Sequence, residues 1–377
     1  MTAYSEAYET IDFSIVSFFV IFMIFKQKKQ WGIRKRKRRF KTHPRANQSA
    51  NQKANLKTDL KTDQENQMYH QTNNQKGIYM TAFQIFMEKI RKGVSEYCGE
   101  TCVVELSEIR KNNGIVYHGI TVTAEDVNIS PTLYVDDLYR EYTEGKTLGQ
   151  IMEQVIARYE KHKVKGNIDL HFLMDFSWVK EHILYKLVGY EENREFLQEV
   201  PHIRYLDMAL VFYCSILNDA FGSATVLVKN GFCRLWDVEA KDLLLLAEKN
   251  TPRILPEEIL DMRKMLGQIS DIGKPEPELE EVPCRMYVLT NKQKQFGAVA
   301  ILYPEVLKQF AEKMNSNLIL LPSSVHEVIL VPERDRCEIH TFQEMVREIN
   351  RTQVDWEEVL TDSVYYYDRV KNQVTQR

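Results

Sequence analysis

Apolar residues recur at helical spacing over residues 80–98, where Phe83, Phe86, Met87, Ile90, Val94 and Tyr97 fall on one stripe. The pattern then changes period. Val103–Arg110 and Ile115–Thr123 read as two strands of a hairpin around Lys111-Asn112-Asn113-Gly114, whose Asn-Gly suits a tight turn. A short helix is expected at Leu133–Tyr142. A stronger one covers Leu148–His162, with Leu148, Ile151, Met152, Val155, Ile156 and Tyr159 on one face and Thr147 and Gln150 placed for a capping box.

The unbroken apolar run Met208–Cys214 has the length of a buried strand. Thr225–Lys229 and Phe232–Trp236 read as a second hairpin around Asn230-Gly231, followed by helices at 239–249 and 256–266 with Pro256 at a first helical position. Residues 267–283, acidic and proline-bearing, have the composition of a linker. Beyond them Met286–Leu289 and Phe296–Leu302 form a natural strand pair. A helix over Pro304–Met314 and strands at Leu318–Leu321 and Val325–Val331 follow. A last helix starts at Thr341, with Glu344 completing its capping box.

Hairpins mixed with helices argue for the α+β class, with mixed hairpin-containing sheets packed on amphipathic helices. The expected division is an α+β domain at 80–266, the linker at 267–283, and a smaller α+β part at 284–377.

Residues 1–79 break this pattern. Phe13–Phe25 is an uncharged apolar run of 13 residues followed by the basic stretch 26–41. A membrane span takes about 20 residues, with about 17 as a practical minimum. Residues 46–79 form a polar low-complexity tract, which reads as disordered. The pattern of a folded protein begins at Met80, and Lys76-Gly77 can be encoded by AAAGGA, a purine-rich sequence of ribosome-binding type. Met80 is therefore the expected start of translation, with 1–79 as leader. If residues 11–41 are translated, they offer a membrane contact and the C-terminal part faces the cytoplasm.

Charge sharpens the division. Residues 1–79 hold 15 Lys/Arg against 6 Asp/Glu, and residues 80–377 hold 35 against 47. The folded part is acidic, which disfavours nucleic acid as its partner. Six dispersed cysteines, several in apolar runs, read as buried free thiols in a reducing, cytoplasmic setting. Cys98 and Cys102 stand at C-x3-C without a second close pair, so no metal site and no cofactor is assigned.

Catalytic motifs are absent: no G-x-G-x-x-G, H-E-x-x-H or G-x-S-x-G occurs. Gly145-Lys146-Thr147 lacks the earlier glycine of a phosphate loop and is read as a helix end and the next cap. His118 lies on the apolar face of its strand and reads as structural. Two polar stretches are the candidate ligand-binding residues. His202, Arg204 and Asp207 lead into the buried strand, where an Arg204–Asp207 or His202–Asp207 contact is expected. Ser324 and His326 stand two apart, on one face of a strand.

The stretches PHIRYLDMALVFYC (201–214), AEKNTPRILP (247–256), YVLTNKQKQFGAVAILYPEVL (287–307), LPSSVHEVILVP (321–332) and VLTDSVYYYD (359–368) resemble a bacterial family known as domain of unknown function 5688. The resemblance spans about residues 80–370. It implies a bacterial cytosolic protein whose chain begins near Met80, and it supplies no catalytic residues. The expected function is therefore a binding or interaction protein for a small molecule or another protein. A small-molecule enzyme such as a hydrolase, with its site between the two α+β parts, is the alternative. A membrane-tethered adaptor is a third reading and requires residues 1–79.

Overall fold

The computed structural model describes residues 80–125, 127–128, 130–163, 171–218, 222–269, 284–322, 324–333 and 339–377. The expected leader, its apolar run and most of the expected linker lie outside the described residues. The chain divides into two compact units: a smaller one with residues 80–110 and 116–163, and a larger one with residues 111–115 and everything from 171 onward.

In the smaller unit, helix α1 (Ala82–Cys98) starts at Thr81, whose side chain exchanges capping bonds with Gln84. Strands β1 (Cys102–Arg110) and β2 (Val116–Ala124) pair antiparallel, Cys102 opposite Ala124 and Arg110 opposite Val116. A short β3 (Thr132–Tyr134) adds to β2. Helix α2 (Asp136–Thr143) follows, so the helix expected at 133–142 starts later because 132–134 are taken by the sheet. Helix α3 (Leu148–His162) has the expected Thr147–Gln150 capping box. Phe86, Ile90, Ile120, Val122, Leu138, Ile151 and Val155 form the core. His118 has neighbours within its own unit. Its Nδ1 lies 2.9 Å from Asp136 Oδ1, and its ring meets Phe83 edge-on.

The larger unit contains two antiparallel sheets. After α4 (Phe176–Val179) come β4 (Ile183–Gly189), α5 (Arg194–Glu199), β5 (His202–Tyr205), β6 (Met208–Asn218) and β7 (Gly222–Leu227). The long β6 is the centre of this four-stranded sheet and pairs with β4, β5 and β7. Helices α6 (Asn230–Trp236) and α7 (Ala240–Ile254) precede β8 (Glu257–Asp261) and α8 (Met262–Ile269). Next are β9 (Tyr287–Asn291), a 3-10 turn at Gly297–Leu302, α9 (Val306–Met314), β10 (Leu318–Leu321), β11 (Val328–Pro332), α10 (Ile339–Thr352), β12 (Tyr365–Asp368) and β13 (Gln373–Gln376). The second sheet runs β13-β12-β10-β11-β9-β8.

Both faces of this six-stranded sheet are covered. Phe342, Met345, Val346 and Ile349 of α10 pack against Val288, Ile319, Leu321, Ile329 and Val331. Leu289, Leu318, Leu320, Val328 and Leu330 join Tyr185, Leu187, Leu210 and Phe212 in the largest core. Two buried faces explain why β10 and β11 are unbroken apolar runs rather than alternating ones.

Several expected elements differ. Residues 230–236 form a helix and not the second strand of a hairpin. Phe232 and Trp236 stack one helical turn apart at 4.9 Å, and Trp236 Nε1 donates to the Leu173 carbonyl at 2.9 Å. Helix α7 runs through Pro252 because its last turn is tied down by tertiary bonds, Asn250 Nδ2 donating to the Lys180 carbonyl at 2.8 Å. Pro256 precedes a strand, not a helix. Residues 257–261 pair with 287–291 on the far side of the expected linker, and residues 267–269 end α8. Residues 297–302 are a 3-10 turn, with Ala298, Val299 and Ala300 enclosed and no alternation for a strand to use. The last helix begins at Ile339, so Thr341 lies inside it. Cys98, Cys102, Cys214 and Cys233 are free thiols, but Cys284 is disulfide-bonded, against the expectation of free thiols throughout. No helix of the described residues is long and apolar enough to cross a membrane.

Asn113, at φ 58°, is buried within the larger unit. Its Nδ2 donates to the carbonyls of Trp356 and Val359, both at 2.7 Å. Its backbone N–H donates to Asn193 Oδ1 at 2.9 Å, and its Oδ1 accepts from Asn193 Nδ2 at 3.0 Å. Asn113→Ala leaves two buried carbonyls without this donor and places alanine in a left-handed conformation that asparagine tolerates better. A loss of about 3 kcal/mol is expected from urea unfolding, with Asn113→Asp nearly as damaging because a carboxylate cannot donate.

Candidate functional site

Lys186 interrupts an otherwise apolar strand, Ile-Leu-Tyr-Lys-Leu-Val-Gly. Strand alternation sends Ile183, Tyr185 and Leu187 into the largest core and puts Leu184, Lys186 and Val188 on the opposite face of the sheet. There the half-buried amine lies 4.1 Å from the centroid of the Phe296 ring. Among the described residues it makes no hydrogen bond or ion pair, and the charge that acts on it is another cation, Lys111. Loss of hydration, with a smaller push from Lys111, brings the amine down to about 8.

Phe296 is held in an unusual conformation. Its φ is 53°, in the left-handed region that a bulky side chain rarely occupies. The loop before it is clamped by Asn291, whose Nδ2 donates to the Gln295 carbonyl at 2.7 Å and whose Oδ1 accepts from the Gln295 amide at 3.2 Å. Its own N–H donates to His326 Nδ1 at 3.2 Å. A backbone amide can only donate, so the proton of neutral His326 sits on Nε2, which faces Glu358 Oε1 at 3.6 Å. The His326 ring stacks on Phe296, with centroids 5.7 Å apart and planes at 15°. Tyr213 meets Phe296 edge-on from β6, and its buried hydroxyl has no partner. Lys186, Phe296, His326, Glu358 and Tyr213 thus make one cluster of cation, aromatic rings and unspent polar groups.

Ser324 and His326 do not share a strand face, because β11 begins only at Val328. The Ser324 hydroxyl accepts from the His326 backbone N–H at 3.0 Å, a turn-stabilising bond, and Ser324 bridges Val359. The neighbouring Val325 N–H donates to the Glu358 carbonyl at 2.8 Å. Residues 324–326 therefore belong to the loop that positions Phe296.

His202, Arg204 and Asp207 lie elsewhere, and the expected contacts among them do not form. His202 Nδ1 is 3.1 Å from the Val200 carbonyl, and Arg204 covers the Tyr190 ring at 4.4 Å. Asp207 instead accepts from Thr361 Oγ1 at 2.9 Å, from Ser363 Oγ at 2.7 Å and from the Tyr365 hydroxyl. Burial, then this carboxylate, raises the Tyr365 pKa, so its hydroxyl stays a donor. Sequence reasoning passed over Lys186 and Phe296, although a single lysine inside an apolar strand is a signal in itself. No group of three or more His, Cys, Asp or Glu side chains among the described residues could hold a metal ion.

One family model matches residues 83–369, and it describes a family of unknown function (DUF5688). No curated protein and no solved structure matches the chain.

The position after Phe296 admits glycine alone. A β-carbon on Gly297 would come under 3.0 Å from Thr290 Oγ1, the His326 carbonyl and the Asn291 amide. Gly297→Ala should therefore cost at least about 2 kcal/mol in denaturant unfolding and displace Phe296, seen as a changed environment of the Lys186 amine by NMR.

Proposed function

Since this chain belongs to the family of unknown function DUF5688, we propose from the cluster itself that it is a binding protein for a small anionic molecule, with Lys186 as the recognising group. The observation that carries this is the lysine without a counter-ion. A half-buried ammonium with only another cation acting on it costs stability, and an anionic ligand offsets that cost. A carboxylate or phosphate oxygen would pair with Lys186, while an apolar or planar portion would lie against Phe296. The His326 Nε2–H and the orphaned Tyr213 hydroxyl add fixed polar groups of the kind that orient a ligand.

Binding is favoured over hydrolysis by the geometry at Ser324. Nucleophilic catalysis needs the hydroxyl bonded to a ring nitrogen that can take its proton. Here that hydroxyl accepts from a backbone amide, and His326 Nδ1 accepts from another.

Thermal unfolding at matched ionic strength, with sodium phosphate, citrate and pyruvate as probes against a chloride control, tests the proposal. At least one probe should raise the midpoint of the native protein by several degrees and leave Lys186→Met unmoved. If none does so, or if the variant responds equally, the proposal fails.

A second outcome follows from the depressed pKa. Between about 8 and the ordinary value of 10.5 the unfolded chain holds a proton that the folded protein has released. Stability contributed by this group therefore rises with pH across that window, and the full penalty applies below it. Lys186→Met should be more stable than the native protein at pH 7 by on the order of 2 kcal/mol, with the gain shrinking toward pH 10.5. Urea unfolding at pH 7, 9 and 10.5 measures it.

A further inference from the structure

The smaller unit holds a pair of thiols unconnected with the Lys186 cluster. Cys98 is the last residue of α1 and Cys102 the first of β1, joined by a single turn of 3-10 helix, Gly99–Thr101. Both side chains are half-buried and free. The two thiols adjoin each other and share the hydroxyl of Tyr159, which reaches across from α3 and lies 3.9 Å from Cys102 Sγ. Thr101 Oγ1 lies 3.9 Å from the same sulfur and donates to the Cys98 carbonyl at 3.1 Å.

We infer that Cys98 and Cys102 are a redox-active dithiol that closes to an intramolecular disulfide. A disulfide sets its two β-carbons about 4 Å apart. Three residues of turn separate Cys98 from Cys102, and that turn can adjust to the spacing: residues 99–101 are exposed, and Gly99, at φ 69°, has nothing within 4 Å of the position a β-carbon would take. The oxidant is a small-molecule disulfide. One cysteine, as thiolate, attacks it and releases one thiol, forming a mixed disulfide. The second cysteine attacks that bond and releases the other thiol. Two protein thiols are oxidised to one disulfide, the small disulfide is reduced to two thiols, and the protein's two protons end on those products.

Burial, then the neighbouring Cys102, raises the Cys98 pKa, so the reduced pair is held as thiols and not as stabilised thiolates. A dithiol without thiolate stabilisation favours its disulfide, in contrast to the strongly oxidising pairs whose thiolate is stabilised. The Tyr159 hydroxyl, pushed far above its ordinary pKa mainly by burial, stays a donor throughout.

The sequence makes the test direct. Trypsin cuts after Lys92 and Arg110, so residues 93–110 form one peptide that holds Cys98 and Cys102 and no other cysteine. The native full-length protein is incubated with oxidised glutathione, alkylated and digested. The expected result is a 93–110 peptide lighter by two hydrogens and without alkyl groups, restored to double alkylation by dithiothreitol. Cys98→Ser should instead trap Cys102 as a glutathione mixed disulfide, because the displacing thiol is gone. A native peptide that takes two alkyl groups, or carries glutathione on its cysteines without closing, overturns the inference.

Discussion

A partly buried stretch of irregular chain governs the larger unit. Between the end of α10 and the start of β12, residues 354–364 form no regular element beyond the bridge at Val359, yet Val354, Val359, Leu360 and Val364 are core residues. Chain without a ladder of its own must find other partners for its amides and carbonyls, since an unpaired buried backbone group costs as much as a lost hydrogen bond. Side chains from distant parts of the sequence supply them here. Asn113 serves Trp356 and Val359, and Asn112 serves Glu357 through its Nδ2 at 2.8 Å. Asn350 donates to the Thr361 carbonyl at 3.0 Å, and Asp207 gathers Thr361, Ser363 and Tyr365.

The Lys186 cluster is a by-product of that arrangement. Glu358 comes from the irregular stretch and faces His326, and the carbonyl of the same residue anchors Val325. His326 in turn fixes Phe296 through its amide, with Thr290 holding the His326 carbonyl at 2.8 Å. Each link is a polar contact of 3.6 Å or less, so the aromatic ring beside the lysine is placed by neighbours that are themselves held. Such preorganisation is what a binding group requires, because ordering it on contact with ligand would otherwise be paid for in affinity.

How much of this was readable from residues depended on range. Helix α3 was complete in the sequence because its capping box and apolar stripe are both local. Strand β6 was legible because Met208–Cys214, buried on both faces, form an unbroken apolar run. The Asn230-Gly231 pair misled, since the same dipeptide opens a helix once Phe232 and Trp236 find each other a turn apart. The segment at 297–302 defeated pattern reading because it is apolar on every side. At the site, the sequence offers His326 as a polar candidate, but its partners are not reachable from it: Phe296 and Glu358 are joined to it only through the fold. Asp207 looked like a companion of its neighbours in sequence and proved to be a companion of residues more than 150 positions away.

The five residues 111–115 are counted with the larger unit, though the chain on either side of them is counted with the smaller. The chain therefore leaves the smaller unit at Lys111, re-enters it at Val116 and belongs to the larger unit again from 171. No single cut yields two self-sufficient pieces. A fragment beginning at residue 171 would lack Asn112 and Asn113, and three carbonyls of the irregular stretch would lose their donors with them. The two units are thus tied by the path of the chain, and the family match runs unbroken from 83 to 369.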